Sequence, residues 1–256
     1  MDAMGPNLVE EDLDLRRQRR RSTGKGDRGD ATRGLLLRTA ERLYAERGLA
    51  EVSNRQIVAA AGQANKSALV YHIGTRTDLI HAIRAEHVRA ISLRTKEMLE
   101  AARGTDNPRE LLACMVLPYT EHLAALGNPS WYARFSAQLA PDPVFGTEPV
   151  WTPDVLPLIA EYQATVDAWS PNLTAEVAAI RQQAARVAVI HTCAEQERAA
   201  ADSGHPADWP LIGDALTDCV AALLSATKQS EPDATEQHGL DRARIVRRPS
   251  RRRSAG

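Results

Sequence analysis

The side chains best suited to chemistry in this chain of 256 residues cluster at positions 66–71, where Lys66, Ser67, Ala68, Val70 and Tyr71 follow one another within two helical turns. Lys66 and Tyr71 can reach phosphates or base edges, Ser67 can donate or accept a hydrogen bond, and the small apolar Ala68 and Val70 can meet thymine methyls. That combination serves contact with duplex DNA.

Bond-making chemistry finds less material. His72, His81, His87, His122, His191, His205 and His238 are dispersed, and neither a Gly-rich phosphate loop nor a nucleophile motif is present. Cys114, Cys193 and Cys219 lie far apart without a partner at metal-ligand spacing, which supports neither a zinc site nor a disulfide framework. No catalytic residue, metal or cofactor is therefore assigned, and the expectation is a protein that is not an enzyme. His87 and His191 stand in apolar rows and read as core histidines. A small-molecule-binding helical protein or an enzyme stays open as the alternative, but would need its groups to converge in the fold.

Short helices have to hold residues 66–71 in place. Leu36, Ala40, Leu43 and Tyr44 share one face of a helix from about 32 to 47, stopped by Gly48. Ser53 is a natural N-cap for a second helix that buries Ile57, Val58 and Ala61 and breaks at Gly62. Asn65 caps a third, in which Leu69 and Ile73 face inward, Ser67 and Tyr71 point nearly opposite, and Ala68 and Val70 lie on the shoulders of the exposed side. Gly74 closes it. Two short helices about a turn, under a longer first helix, are the layout of a helix-turn-helix, whose second helix enters the major groove. Short helix pairs also occur in plain bundles.

Beyond the third helix, the periodicity predicts helices at about 76–103, 108–126, 129–140, 154–169, 173–202 and 208–228, with a Pro-rich connection at 141–154 and no alternating strand pattern. The expected fold class is all-α: an N-terminal three-helix head over 32–85, followed by a helical body over 86–228. Residues 1–31 and 229–256 are rich in charge, poor in apolar side chains, and read as a disordered charged arm and a disordered basic tail.

Charge divides along the same boundaries. Segment 32–85 carries 8 basic and 4 acidic residues, whereas 86–228 carries 10 and 18, although the whole chain has a net charge of −1. A basic module ahead of an acidic one points to an anionic partner for the first alone. No stretch approaches the ~18 uncharged apolar residues of a membrane span, and the first residues lack the apolar centre of a signal peptide, so the expected location is the cytoplasm.

The run Thr32–Ile83 resembles the DNA-binding head of TetR-family transcriptional regulators. The first helix ends AERG at Ala45–Gly48, a Ser-capped helix follows, and AGQANKSALVYHIGTR spans Ala61–Arg76. The turn after Gly62 is one residue longer than the commonest form, as in a subset of the family reading Ala-Gly-Gln-x-Asn-x-Ser-Ala, and Ile73 stands where Phe is usual. The longer turn leaves the register of base contacts open by about one position. The resemblance implies that Tyr71, His72 and Arg76 grip backbone phosphates, with help from Ser53 and Asn54 at the start of the second helix, where free N–H groups favour anions. On the residues alone, Ser53 also serves as a plain cap and His72 also fits as a flank residue beneath the first helix. The implied function is a ligand-responsive repressor acting as a homodimer on a palindromic double-stranded operator.

Eight of the 11 aromatic residues fall between positions 119 and 169, enough material for an apolar pocket. The resemblance implies a small-molecule effector there, with Tyr119, Trp131, Tyr132, Phe135, Trp151, Tyr162 and Trp169 as the candidate lining. The last two helices resemble, in position, the family's four-helix dimer interface, with Ala184, Val187, His191, Leu216, Val220 and Leu223 as the candidate contacts.

Overall fold

A computed structural model describes residues 29–65, 67–148, 150–169 and 173–225, and among these the chain is helical with no strand. The expected basic tail at 229–256, residues 1–28 of the expected arm and the last residues, 226–228, of the expected final helix lie outside the described residues. Residues 29–31, which the charge pattern assigned to the arm, belong instead to the first helix, α1, which covers 29–47. Leu36, Leu37, Ala40, Leu43 and Tyr44 repeat on one side of α1 and are all buried, as a 3.6-residue period requires.

Of the next three helices, two open on side-chain caps, whereas the middle one starts at Ser67 without one, Asn65 bonding in the turn ahead of it instead of capping it. In α2 (Asn54–Ala60) the Ser53 hydroxyl accepts from Gln56 N at 3.3 Å while Gln56 Oε1 accepts from Ser53 N at 2.8 Å. This reciprocal box satisfies two N–H groups that a helix start leaves open. Helix α3 (Ala68–His72) is one short segment, and Asn65 Oδ1 accepts from Ser67 N ahead of it at 2.9 Å. Helix α4 (Arg76–Ala101) opens on a second box, Thr75 with Asp78. Between α3 and α4, Gly74 has φ +118, and a Cβ there would stand 2.6 Å from Asp78 Oδ2. Only glycine lets the chain turn this sharply while Asp78 reaches back to cap α4.

The body follows as α5 (Pro108–Leu126), α6 (Tyr132–Leu139), a 3₁₀ turn (Phe145–Thr147), α7 (Leu156–Ala168), α8 (Ala175–Ser203) and α9 (Trp209–Ser225). Its main packings are α4 on α5 and α6 on α8. Helix α6 begins at Tyr132, later than its apolar period suggests, because its first turn is held from outside. Glu197 of α8, 2% exposed, accepts from Ala133 N, Arg134 N, Arg134 Nε and the Ser130 hydroxyl at 2.8–3.2 Å. A carboxylate at a helix N-terminus satisfies the open N–H groups, and Arg134 balances its charge.

One apolar core runs through head and body. Tyr44 of α1 stacks on Phe135 of α6 with ring centroids 6.1 Å apart, both side chains fully buried. Side chains of this size each contribute ~1.5–3 kcal/mol when taken out of water, so this stack joins α6 of the body to the head.

Candidate functional site

The head presents a narrow protruding element. Leu69 (1% exposed) anchors α3, while Val70 and Tyr71 are 65% and 78% exposed, the two most outstanding apolar side chains of the head. Ser67 and Thr75 are exposed beside them. Leaving Val70 and Tyr71 in water gains nothing for the isolated protomer, which makes them candidates for a partner. His72 is half-buried and its ring meets Tyr71 edge-on at 4.9 Å.

Ala68 departs from its expected place. It is 4% exposed and packs in the core rather than on the outward shoulder, because the short α3 needs two consecutive anchors, Ala68 and Leu69, to stay on α1 and α2. Lys66 lies outside the described residues. Ser53 is exposed, but its hydroxyl is engaged in the box with Gln56. Asn54 is half-buried, with Oδ1 buried and without a hydrogen-bond partner among the described residues.

Arg76 is the larger correction. Its guanidinium donates to Val52 O at 2.6 Å and to Leu49 O, and lies over the Tyr44 ring with Cζ 5.1 Å from the centroid. Instead of reaching for a phosphate, it ties the α1–α2 connection to the start of α4, satisfying carbonyls that the connecting turn leaves open. Arg55, exposed in the first turn of α2, is a cation that the motif reading missed; its position beside the Ser53 cap was visible in the sequence.

The body holds a cavity of about 290 Å³ lined by α4–α9 and by the 141–154 connection. Of the aromatic candidates, Tyr119, Tyr132, Trp151 and Tyr162 line it. Phe135, Trp131 and Trp169 do not. Phe135 faces the other way, onto Tyr44; Trp131 packs at the start of α6, and Trp169 caps the end of α7 at 37% exposure. Phe145, Met115 and Val150 complete apolar walls, which composition could not assign because they come from separate elements.

Glu148 fastens the connection over this cavity. It pairs with Arg84 of α4, whose other N–H donates to the Glu148 carbonyl at 3.0 Å, and its carboxylate meets His81 Nε2 at 2.8 Å. Deeper on α4, His87 is buried and bridges Glu41 of α1 (3.3 Å) to His122 of α5 (2.8 Å), stacked on Tyr132 at 3.7 Å. A carboxylate can only accept, so His87 Nε2 donates to Glu41, and in a neutral ring Nδ1 then accepts from His122 Nε2. Burial, reinforced by His87, pulls His122 down to about 4. His87 is thus a satisfied core histidine as expected, whereas His191 is exposed.

The last two helices separate the other candidates. Ala184, Val187 and His191 lie on the exposed side of α8, next to Ile180 at 65% exposure. Leu216 and Val220 are each 5% exposed inside the protomer, and Leu223 is partly buried against the same core. Val220 lines the cavity and all three pack inward on the chain's own core; Leu211, 65% exposed, is on the outer side of α9. The switch follows from Gly213, which lets α9 approach α5 so closely that a Cβ would stand 2.6 Å from Thr120 Oγ1.

No helix among the described residues is long and apolar enough to cross a membrane. No family model matches the chain, and no curated protein matches it. Among solved structures, the chain is similar to the crystal structure of a TetR-family transcriptional regulator, PfmR, from Thermus thermophilus. The identity is 15%, with 85% of this chain and 96% of that chain covered and a TM-score of 0.34. Likeness at that level leaves function to be argued from the residues.

Proposed function

We propose that this chain is a TetR-type transcriptional regulator that binds operator DNA through α3. The observation that carries this reading is the pairing of a core-anchored α3 with the outstanding Val70 and Tyr71, within the Ala61–Arg76 sequence pattern. Tyr71 and Val70 meet the major groove, Ser67 and Arg55 contribute from the same exposed surface, and Lys66 is a further candidate contact from the sequence. His72, Ser53 and Asn54 flank the phosphates. Arg76 supports the head from within.

The chain acts as a cytoplasmic homodimer on a palindromic site, since one five-residue recognition helix touches too few bases for useful specificity. The apolar face of α8 at Ile180, Ala184, Val187 and His191, with Leu211 of α9, supplies the contact between copies. A small-molecule effector occupies the cavity and acts as an inducer. Helix α6 supports this coupling: Tyr132 and Ser136 line the cavity while Phe135 of the same helix stacks on Tyr44. Helix α4 is a second link, through Arg84 and His87.

Selection of duplex fragments from a random pool, followed by footprinting, tests the reading. A two-fold-symmetric consensus should emerge, and Tyr71→Ala should weaken binding to it about tenfold without changing thermal stability. Failure to enrich any sequence, or full affinity in Tyr71→Ala, would favour a small-molecule-binding protein whose head does not read DNA.

A further inference from the structure

The cavity walls carry an unbalanced charge. Arg84 and Arg186 line it and, among the described residues, no Asp or Glu does. Arg84 is already matched by Glu148. Arg186, half-buried on α8, has no hydrogen bond or ion pair among the described residues. Much of the rest of the cavity wall is apolar, from Val88, Ile91, Met115, Leu139, Phe145 and Trp151. An unmatched guanidinium beside apolar walls attracts one negative charge more strongly than it would in open water, and its fork of N–H donors fits a carboxylate.

The remaining polar groups agree. Tyr132 and Tyr162 line the same cavity, and burial raises both phenols, so they stay protonated as neutral donors. Gln163 and Gln182 also line it, and both amide nitrogens approach Asp167. An adjoining cavity of about 430 Å³ shares Gln163, Val166, Gln182 and Leu224 with the first, and Arg181 faces it with a buried Nη1 that has no partner among the described residues. Asp167 is the acidic residue lining that second space, and both glutamine amides donate to its Oδ1.

We propose that the effector is an amphipathic monoanion, an apolar chain or ring bearing one carboxylate, whose carboxylate pairs with Arg186 while its apolar part lies against Met115, Phe145 and Trp151. This rests on the effector reading above and names the class of ligand. A neutral apolar molecule would leave Arg186 unmatched, and an organic cation in the first cavity would meet two arginines and, among the described residues, no carboxylate on its walls.

Isothermal titration of the full chain, without DNA, tests the proposal with matched probes held below their micelle concentrations: decanoate, 1-decanol and decylamine, then 2-naphthoate and 2-naphthylmethanol. In at least one series the carboxylate should bind about tenfold or more tightly than the alcohol, with decylamine weakest. Arg186→Gln should remove that preference while leaving the alcohol's affinity unchanged, and Arg186→Lys should restore most of it. Equal affinity for carboxylate and alcohol in both series, an undiminished preference in Arg186→Gln, or no saturable binding of any probe would overturn the proposal. Such a failure beside an intact footprint strikes only the ligand class. Loss of the footprint with the carboxylate preference retained strikes only the DNA-binding reading.

Discussion

At Arg76 a guanidinium that a phosphate would attract is committed to the carbonyls of Leu49 and Val52 and to the Tyr44 ring. Its removal leaves two carbonyls without a donor and uncovers the ring. Arg76→Ala should therefore lower stability by about 2 kcal/mol, from the loss of charge-assisted hydrogen bonds, read as a urea midpoint shift at unchanged slope. The residue beneath makes the opposite case. Tyr44 Oη is buried with no hydrogen-bond partner among the described residues, and burial raises its phenol. Tyr44→Phe keeps the stack on Phe135 and removes an unsatisfied group, so it should be neutral or up to about 1 kcal/mol stabilising. A loss above that size in the same titration would mean that the hydroxyl has a partner.

Among the elements, α6 is the one held from both sides. Its start depends on Glu197, a buried carboxylate with four hydrogen bonds from Ser130, Ala133 and Arg134. Glu197→Ala would leave Arg134 (9% exposed) as a buried cation without its counter-ion and open the first turn of α6. Breaking such a pair from one side costs about 3–5 kcal/mol, enough to lower the melting temperature by roughly 6–20 °C at about 2–4 °C per kcal/mol. Hydrogen exchange should rise first in residues 130–139. Rapid exchange confined to α8, with α6 still protected, would contradict Glu197 as the support of α6. Since α6 carries Tyr132 toward the cavity and Phe135 toward the head, the same variant should also weaken any response of DNA binding to ligand.

For the whole molecule, His122 sets a pH dependence. His122 titrates near 4 in the folded chain and near 6.5 when unfolded. Above pH 6.5 both states hold the ring neutral and stability is full. As pH falls from 6.5 to about 4, the unfolded chain takes a proton that the folded ring refuses, so stability declines across that window and then levels off for this group. Discounted for the ring's partial access to solvent, the loss is about 2 kcal/mol. Chemical denaturation at pH 7.5 and 4.5 should show it, and His122→Asn should flatten that part of the decline. An equal decline in the variant would assign the pH dependence to other groups. The ring joins α5 to α4 and, through His87, to α1, so its protonation loosens the contact between head and body.

The all-helical class, nearly every helix and the outward pair Val70 and Tyr71 were legible in the order of residues, because those features are local. A cap bonds within three residues, a glycine turns the chain where it stands, and a buried face repeats every three or four positions. The Ala61–Arg76 pattern was legible for the same reason. Which polar and aromatic side chains were already engaged emerged with the packed fold alone. Arg76 meets carbonyls 24 and 27 positions away, and Glu197 meets α6 from more than 60. Phe135 turns to a tyrosine of the first helix, and Leu216 and Val220 fill their own protomer's core instead of facing a second copy. Periodicity marks that a side chain is inward but carries no label for the neighbour it finds, and those neighbours exist only once helices distant in the chain have packed. The charge imbalance at Arg186 is of the same kind: it became visible when the fold placed Glu148 on Arg84 and left the second guanidinium on the cavity wall without a counter-charge.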